Sequence, residues 1–275
     1  MSQERVEELS KIANDLRKDV VTMIHKATSG HPGGSLSAAD IVTTLYFEKM
    51  RVDPSRPEWE DRDRFVASKG HAAPIVYAAL ARLGYFPREE LWTLRQVNSI
   101  LQGHPDRIKT PGIDMSSGSL GQGLSVGIGM ALAGRLSGKD YHVYVLLGDG
   151  ELNEGQIWEA AMSAVKFKVS NLTAICDWNR LQLDGPTEEI MPMEGIPDRW
   201  RAFGWNVLEI DGHDIKQISD AVDQAKAYAG GPTIIIARTI KGKGVSFMEN
   251  NYAWHGKNIN DAEYEAAMKE LEGVR

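Results

Sequence analysis

A carboxylate and an amide stand thirty positions apart, each at the end of an apolar run: Asp149 follows HVYVLLG and Asn179 follows NLTAICDW. If the runs are neighbouring parallel strands, the two side chains meet at one sheet edge. A carboxylate, an amide oxygen and a loop carbonyl make a hard oxygen set suited to Mg²⁺ or Ca²⁺, with a ligand diphosphate completing the shell. Asn153 and Gln156 have capping-box spacing, so a helix start whose free N–H groups favour an anion is expected just behind the turn. A tight Asp-Gly connection with no ligand is the plain alternative.

Histidines are the second group. Five of the seven adjoin glycine: His31, His71, His104, His213 and His255. Solvated turn residues are the plain reading, and no pair shows the i,i+4 spacing or carboxylate context of a zinc site. His25 and His142 fall within a helix and a strand and read as structural. His213 has no assigned role.

The elements that must position these groups follow from hydrophobic periodicity. Residues 4–27 carry apolar positions at helical spacing, SGHPGGSLS interrupts, and a second helix starts at Ser37 or Asp40. DRFVAS reads as a strand, APIVYAALARLG as a helix, and SSGSLGQGLSVGIGMALAG turns from loop to helix near Gly121. Beyond it strands (HVYVLLG, NLTAICDWN, WNVLEIDG, PTIIIART) alternate with helices (GQIWEAAMSAVKF and residues 214–228), and the chain closes on a helix. Such alternation predicts α/β architecture, an open parallel sheet sandwiched by helices, in one domain over residues 1–275. Ligands of such sheets bind beyond the carboxyl ends of the strands. Gly70-His71, Asp149, Asn179, Gly212-His213 and Lys241-Gly242 all fall there.

Composition narrows the function. A formal charge of -7 argues against nucleic acid as partner. No apolar run is long enough for a membrane span, and the start MSQERVEELSK is too charged for a signal peptide. A single cysteine, Cys176, excludes an internal disulfide. The expectation is a cytoplasmic protein. Gly121-Gln122-Gly123 is not a Rossmann fingerprint, since no strand precedes it and the next glycine is misplaced.

GDGELNEG followed by DWN closely resembles the thiamine diphosphate motif. SGHPGG, RFVASKGHAAP, GHPD, SSGSLGQG, ARTIKGKG and WHGK, in that order, resemble the amino-terminal half of transketolase across essentially the whole chain. The resemblance implies a thiamine diphosphate-binding, diphosphate-domain fold, with Mg²⁺ (or Ca²⁺) held by Asp149, Asn179 and the Leu181 carbonyl, and Gly150 at the diphosphate. His31, His104 and His255 would serve the sugar hydroxyls and His71 would lie near the diphosphate. Moving protons on a polyol near neutral pH suits imidazole. Lys69 and Lys241 would face phosphate or diphosphate, or else be ordinary loop lysines. Gly118, Ser119 and Leu120 would lie along the aminopyrimidine, and Glu154 would link paired active sites.

By the same resemblance the reaction is transfer of a two-carbon ketol unit from a ketose to an aldose, either of them a sugar or sugar phosphate. The family's activating glutamate belongs to a second, pyrimidine-binding domain. The expectation is therefore a separate carboxyl-terminal subunit, joined to this chain in an α2β2 heterotetramer. The rivals are another thiamine enzyme subunit, of the deoxyxylulose-phosphate synthase or 2-oxoacid dehydrogenase kind, and a non-catalytic cofactor-binding relic. The donor ketose is left open, and so is the effect of Leu183.

Overall fold

A computed structural model describes residues 1–273. The chain opens with helix α1 (Gln3–Ala27), started by the Ser2 side chain, which accepts from the Arg5 N–H. Leu9, Ile12, Leu16, Val20 and Ile24 make its buried stripe. Two short helices follow, α2 (Pro32–Ser37) and α3 (Ala39–Thr44). The SGHPGG segment is therefore partly helical rather than a plain interruption. Pro32 sits in the first turn, where its missing N–H costs nothing, and a Cβ on Gly33 would come within 2.8 Å of the Trp254 carbonyl oxygen. Close packing overrides the poor helix propensity of paired glycines here.

The remaining elements in chain order are β1 (Arg64–Ala67), α4 (Ala73–Leu83), α5 (Gln122–Leu136), β2 (Val143–Gly148), α6 (Gly155–Lys166), β3 (Leu172–Trp178), α7 (Thr187–Ile190), α8 (Ile196–Ala202), β4 (Asn206–Asp211), α9 (Ile215–Ala227), β5 (Thr233–Arg238) and α10 (Asp261–Gly273). The strands form a five-stranded sheet in the order β1-β2-β3-β5-β4, and every neighbouring pair is parallel. All carboxyl ends therefore share one edge.

Side-chain alternation along the strands divides the core in two. Tyr144, Leu146, Ile175 and Ile235 pack against α1, α3, α4 and α9. Val143, Val145, Leu147, Ala174, Cys176 and Ile236 pack against α5, α6 and α8. The sheet is thus buried on both faces, as its near-continuous apolar strands require. Among the described residues no helix is long and apolar enough to cross a membrane.

Candidate active site

The register of β2 against β3 sets Gly148 opposite Asp177, so the residues just beyond, Asp149 and Asn179, emerge side by side. Asp149 is 2% exposed. One of its oxygens accepts from the Gly150 N–H at 2.8 Å, and the other accepts from the Arg180 N–H. The Asn179 amide oxygen accepts from the Leu181 N–H at 3.1 Å. Burial, with the neighbouring Asp177 charge, pushes the Asp149 carboxyl up to about 7.

These residues border a cavity of about 190 Å³ that Leu181, Gln182, Lys241 and His255 help to line. Lys241 donates from Nζ to the Leu181 carbonyl and to His255 Nδ1, each at 2.9 Å. Burial lowers its pKa to about 8, against the pull of Asp149. Gln182 Nε2 is buried there without a partner, a donor open to an anionic oxygen. A Cβ on Gly150 would meet Gln182 Cγ at 3.0 Å, so glycine keeps the backbone open at this wall. A buried carboxylate short of counter-charge, two oxygen acceptors beside it, a lysine and a spare amide donor could hold a divalent cation and a diphosphate.

Lys69 borders the same cavity, but its ammonium is already engaged by protein groups. It pairs with Asp177 beneath the floor and donates to the Gly34 carbonyl at 2.9 Å. Asp177 also accepts from the Ser37 hydroxyl at 2.5 Å and from the Thr239 hydroxyl. Burial alone would raise the Asp177 carboxyl; Lys69 and the two hydroxyls hold it below the usual carboxylate range. The pair therefore ties α2, the loop after β1, β3 and the segment after β5 together under the site.

The four histidines of the sequence motifs converge. Ring centroids are 5.3 Å apart for His31 and His71, 4.9 Å for His71 and His255, 5.7 Å for His31 and His255, and 6.0 Å for His31 and His104. All four are held neutral. Burial and then Arg95 bring His31 down to about 4, and burial with Lys241 brings His255 to about 3. Burial with Lys69 drives His71 well below its ordinary value, and burial with Arg95 lowers His104. A row of neutral imidazoles can accept and return protons without a prior ionisation step.

Leu120 lines the cavity, whereas Ser119 and Glu154 are exposed and lie outside its wall. Gly118 takes φ 143°, and a Cβ there would crowd the His104 ring at 3.2 Å. The capping box expected from Asn153 and Gln156 does not form. Helix α6 starts with Glu154 at its N-cap position and no side-chain cap, and Gln156 instead donates to the Leu120 carbonyl at 2.9 Å.

Glu151 was not expected at the site. Its buried carboxylate accepts from Gly121 N–H at 2.8 Å, Gly148 N–H at 3.0 Å and the Ser68 hydroxyl, joining the glycine-rich loop to the Gly-Asp-Gly turn. Its place inside GDGE, directly after a strand, was the available signal. Arg95 was also missed. Its guanidinium reaches Ser29 Oγ at 3.2 Å and His31 Nδ1 at 3.5 Å, and nothing in its sequence surroundings marks it.

The fold and this edge define an α/β protein that gathers a buried carboxylate, an amide, a lysine and four neutral imidazoles at the carboxyl ends of its parallel strands. Comparison with known proteins gives the family. Residues 9–274 match the family described as "Transketolase, thiamine diphosphate binding domain", and the chain belongs to it. It is 48% identical to the 6-deoxy-6-sulfo-D-fructose transketolase subunit SqwG of Clostridium sp. (strain MSTE9), covering 99% of this chain and 98% of that protein. It is 46% identical to one of the subunits of the apulose-4-phosphate transketolase of Phocaeicola vulgatus, covering 97% and 95%. Against the solved transketolase of Campylobacter jejuni the TM-score is 0.92 at 34% identity, with 99% of this chain matched to 43% of that one. The chain thus spans less than half of a single-chain transketolase and nearly all of the relatives named as subunits.

Proposed function

We propose that this chain is the diphosphate-binding subunit of a two-chain transketolase, transferring a two-carbon ketol unit from a ketose to an aldose. The observation that carries the reading is the β2–β3 register, which sets Asp149 beside Asn179 in the wall of a cavity that Lys241, His71 and His255 also line, with His31 and His104 beyond that wall. Asp149, Asn179 and the Leu181 carbonyl hold Mg²⁺. Gly150, His71 and Lys241 meet the diphosphate, while Lys69 supports the floor through Asp177. Gly118, Ser119 and Leu120 flank the aminopyrimidine. Bound thiamine diphosphate supplies the nucleophilic carbon and the electron sink for cleaving the bond beside a ketone. His31, His104 and His255 take protons from the sugar hydroxyls and return them, each ring starting neutral.

The 275 residues act as one domain. A separate pyrimidine-binding subunit completes the site, as the relatives matched end to end and named as subunits support. Two copies of each chain make the assembly, with Glu154 near the contact between paired sites. The donor is a ketose with an anionic end group, sulfonate or phosphate, in keeping with the substrates that those relatives' names carry. The proposed place of action is the cytoplasm.

Purification from the source cells tests the reading. Co-purification with a second chain at a mass fitting two of each, and ketol transfer from a sulfonated or phosphorylated ketose, supports it. Pyruvate turnover by the same assembly favours a 2-oxoacid or deoxyxylulose-phosphate type of enzyme. Cofactor binding with no transfer from any donor returns the chain to a non-catalytic role.

A further inference from the structure

His213, left without a role by the motifs, lies among groups that position the cofactor-facing loop. Its Nε2 accepts from the Ile240 N–H at 2.8 Å, and its Nδ1 meets an Asp40 carboxylate oxygen at 2.7 Å. Because Nε2 accepts, Nδ1 carries the proton and donates to Asp40. The same Asp40 oxygen accepts from Arg17 at 2.5 Å. The side chains of His213 and Asp40 are 13% and 8% exposed, so the chain from α1 through α3 to the loop after β5 is nearly dry. Other charged groups close by are Asp211, which accepts from the His213 N–H, and Asp214, the capping residue of α9.

Ile240 directly precedes Lys241, whose ammonium reaches Leu181 and His255. The loop has two other main-chain anchors nearby: the Thr239 N–H donates to the Trp178 carbonyl and the Gly242 N–H to the Gly33 carbonyl. The tie at Ile240 is made by a side chain, and it lies next to the lysine that faces the cavity. We infer that His213, oriented by Asp40 and Arg17, is a positioning residue that sets the Lys241 loop for diphosphate binding through its bond from the Ile240 N–H.

The inference rests on the proposed cofactor. Its test uses the assembled two-chain enzyme, thiamine diphosphate with Mg²⁺, and calorimetric titration alongside turnover. In His213→Gln the amide oxygen can stand where Nε2 accepts; in His213→Asn the amide can reach only the Asp40 side. The Asn variant should bind the cofactor about tenfold more weakly, equal to ~1.4 kcal/mol, with the Gln variant within about threefold of wild type. Turnover at saturating cofactor should change little in either. In a Lys241→Met background the same His213→Asn change should cost nothing further, because both act through one ammonium.

Equal affinity of wild type and the Asn variant overturns the inference. So does an undiminished loss in the Lys241→Met background, or equal loss in the Gln and Asn variants. If the Asn variant does not fold, His213→Leu, which has no acceptor for the Ile240 N–H, takes its place with weaker cofactor binding expected, and wild-type affinity in that variant overturns the inference. Failure of the wild-type assembly to bind thiamine diphosphate sinks the functional reading instead, so the two failures are distinct.

Discussion

Replacing Lys69 by Met should unseat the floor of the site. Lys69 and Asp177 have side chains only 2% and 0% exposed, so the variant leaves a carboxylate in the interior without its counter-charge. Breaking a buried pair in this way costs ~3–5 kcal/mol. Asp177 keeps its bonds from Ser37 and Thr239, which favours the lower end, about 3 kcal/mol or a fall of about 6–12 °C in Tm for a chain of this size. The loss should also depend on pH. In wild type the Asp177 carboxyl lies below its ordinary 3.8, so its contribution is present above that value and lost as pH falls through the lower folded pKa. Without Lys69, burial outweighs the two remaining hydroxyl bonds and the folded pKa rises above the unfolded one. The charged form then destabilises the protein as pH climbs past about 4. Urea unfolding followed by tryptophan fluorescence at pH 7 and pH 4.5 should show a wide gap between the proteins at the first and a narrow one at the second. Lys69→Met/Asp177→Asn should recover most of the loss at pH 7. Equal stabilities at pH 7, or a double variant weaker than Lys69→Met, would refute the reasoning.

Arg95→Met removes the positive neighbour that helps keep His31 and His104 neutral; both rings should titrate at higher pH by side-chain NMR, and unmoved titrations would contradict the electrostatic account. Burial lowers His142 to about 3, so from its ordinary 6.5 downward only the unfolded chain takes up that proton and stability falls. Between pH 7 and 5 the His142→Gln variant should lose about 2 kcal/mol less than wild type in urea unfolding. Gly123→Ala sets a Cβ 2.7 Å from Ser68 Cα and strains the bond from the Gly123 N–H to Ser68 Oγ at 3.2 Å. It should cost ~1–3 kcal/mol by overpacking, and a neutral thermal melt would argue against the close α5–β1 contact.

The approach of Asp149 to Asn179 is legible because two apolar runs of similar length end on polar groups, and parallel pairing of β2 with β3 is the simplest way to bury both. The placing of β5 between β3 and β4 is not legible, since periodicity marks a strand without naming its neighbour. Distance along the chain hides other partnerships. Lys69 and Asp177 look like a loop lysine and a strand-end acid until the fold joins them, after which the lysine supports the floor. Asn153 and Gln156 have the right spacing for a capping box, but Gln156 is drawn to the Leu120 carbonyl, a tertiary contact that outcompetes the local one. His213 bonds a main-chain N–H, which leaves no residue-type pattern to read, whereas Glu151 is marked only by its place in GDGE directly after a strand.

The most direct test of the central claim is calorimetric titration of thiamine diphosphate with Mg²⁺ into the assembled enzyme, for wild type and for Asp149→Ala/Asn179→Ala. Wild type should show a saturable site, dependent on Mg²⁺, and the double variant should lose it. Binding that persists in the variant with unchanged affinity and metal dependence would place the cofactor somewhere other than the carboxyl edge of β2 and β3.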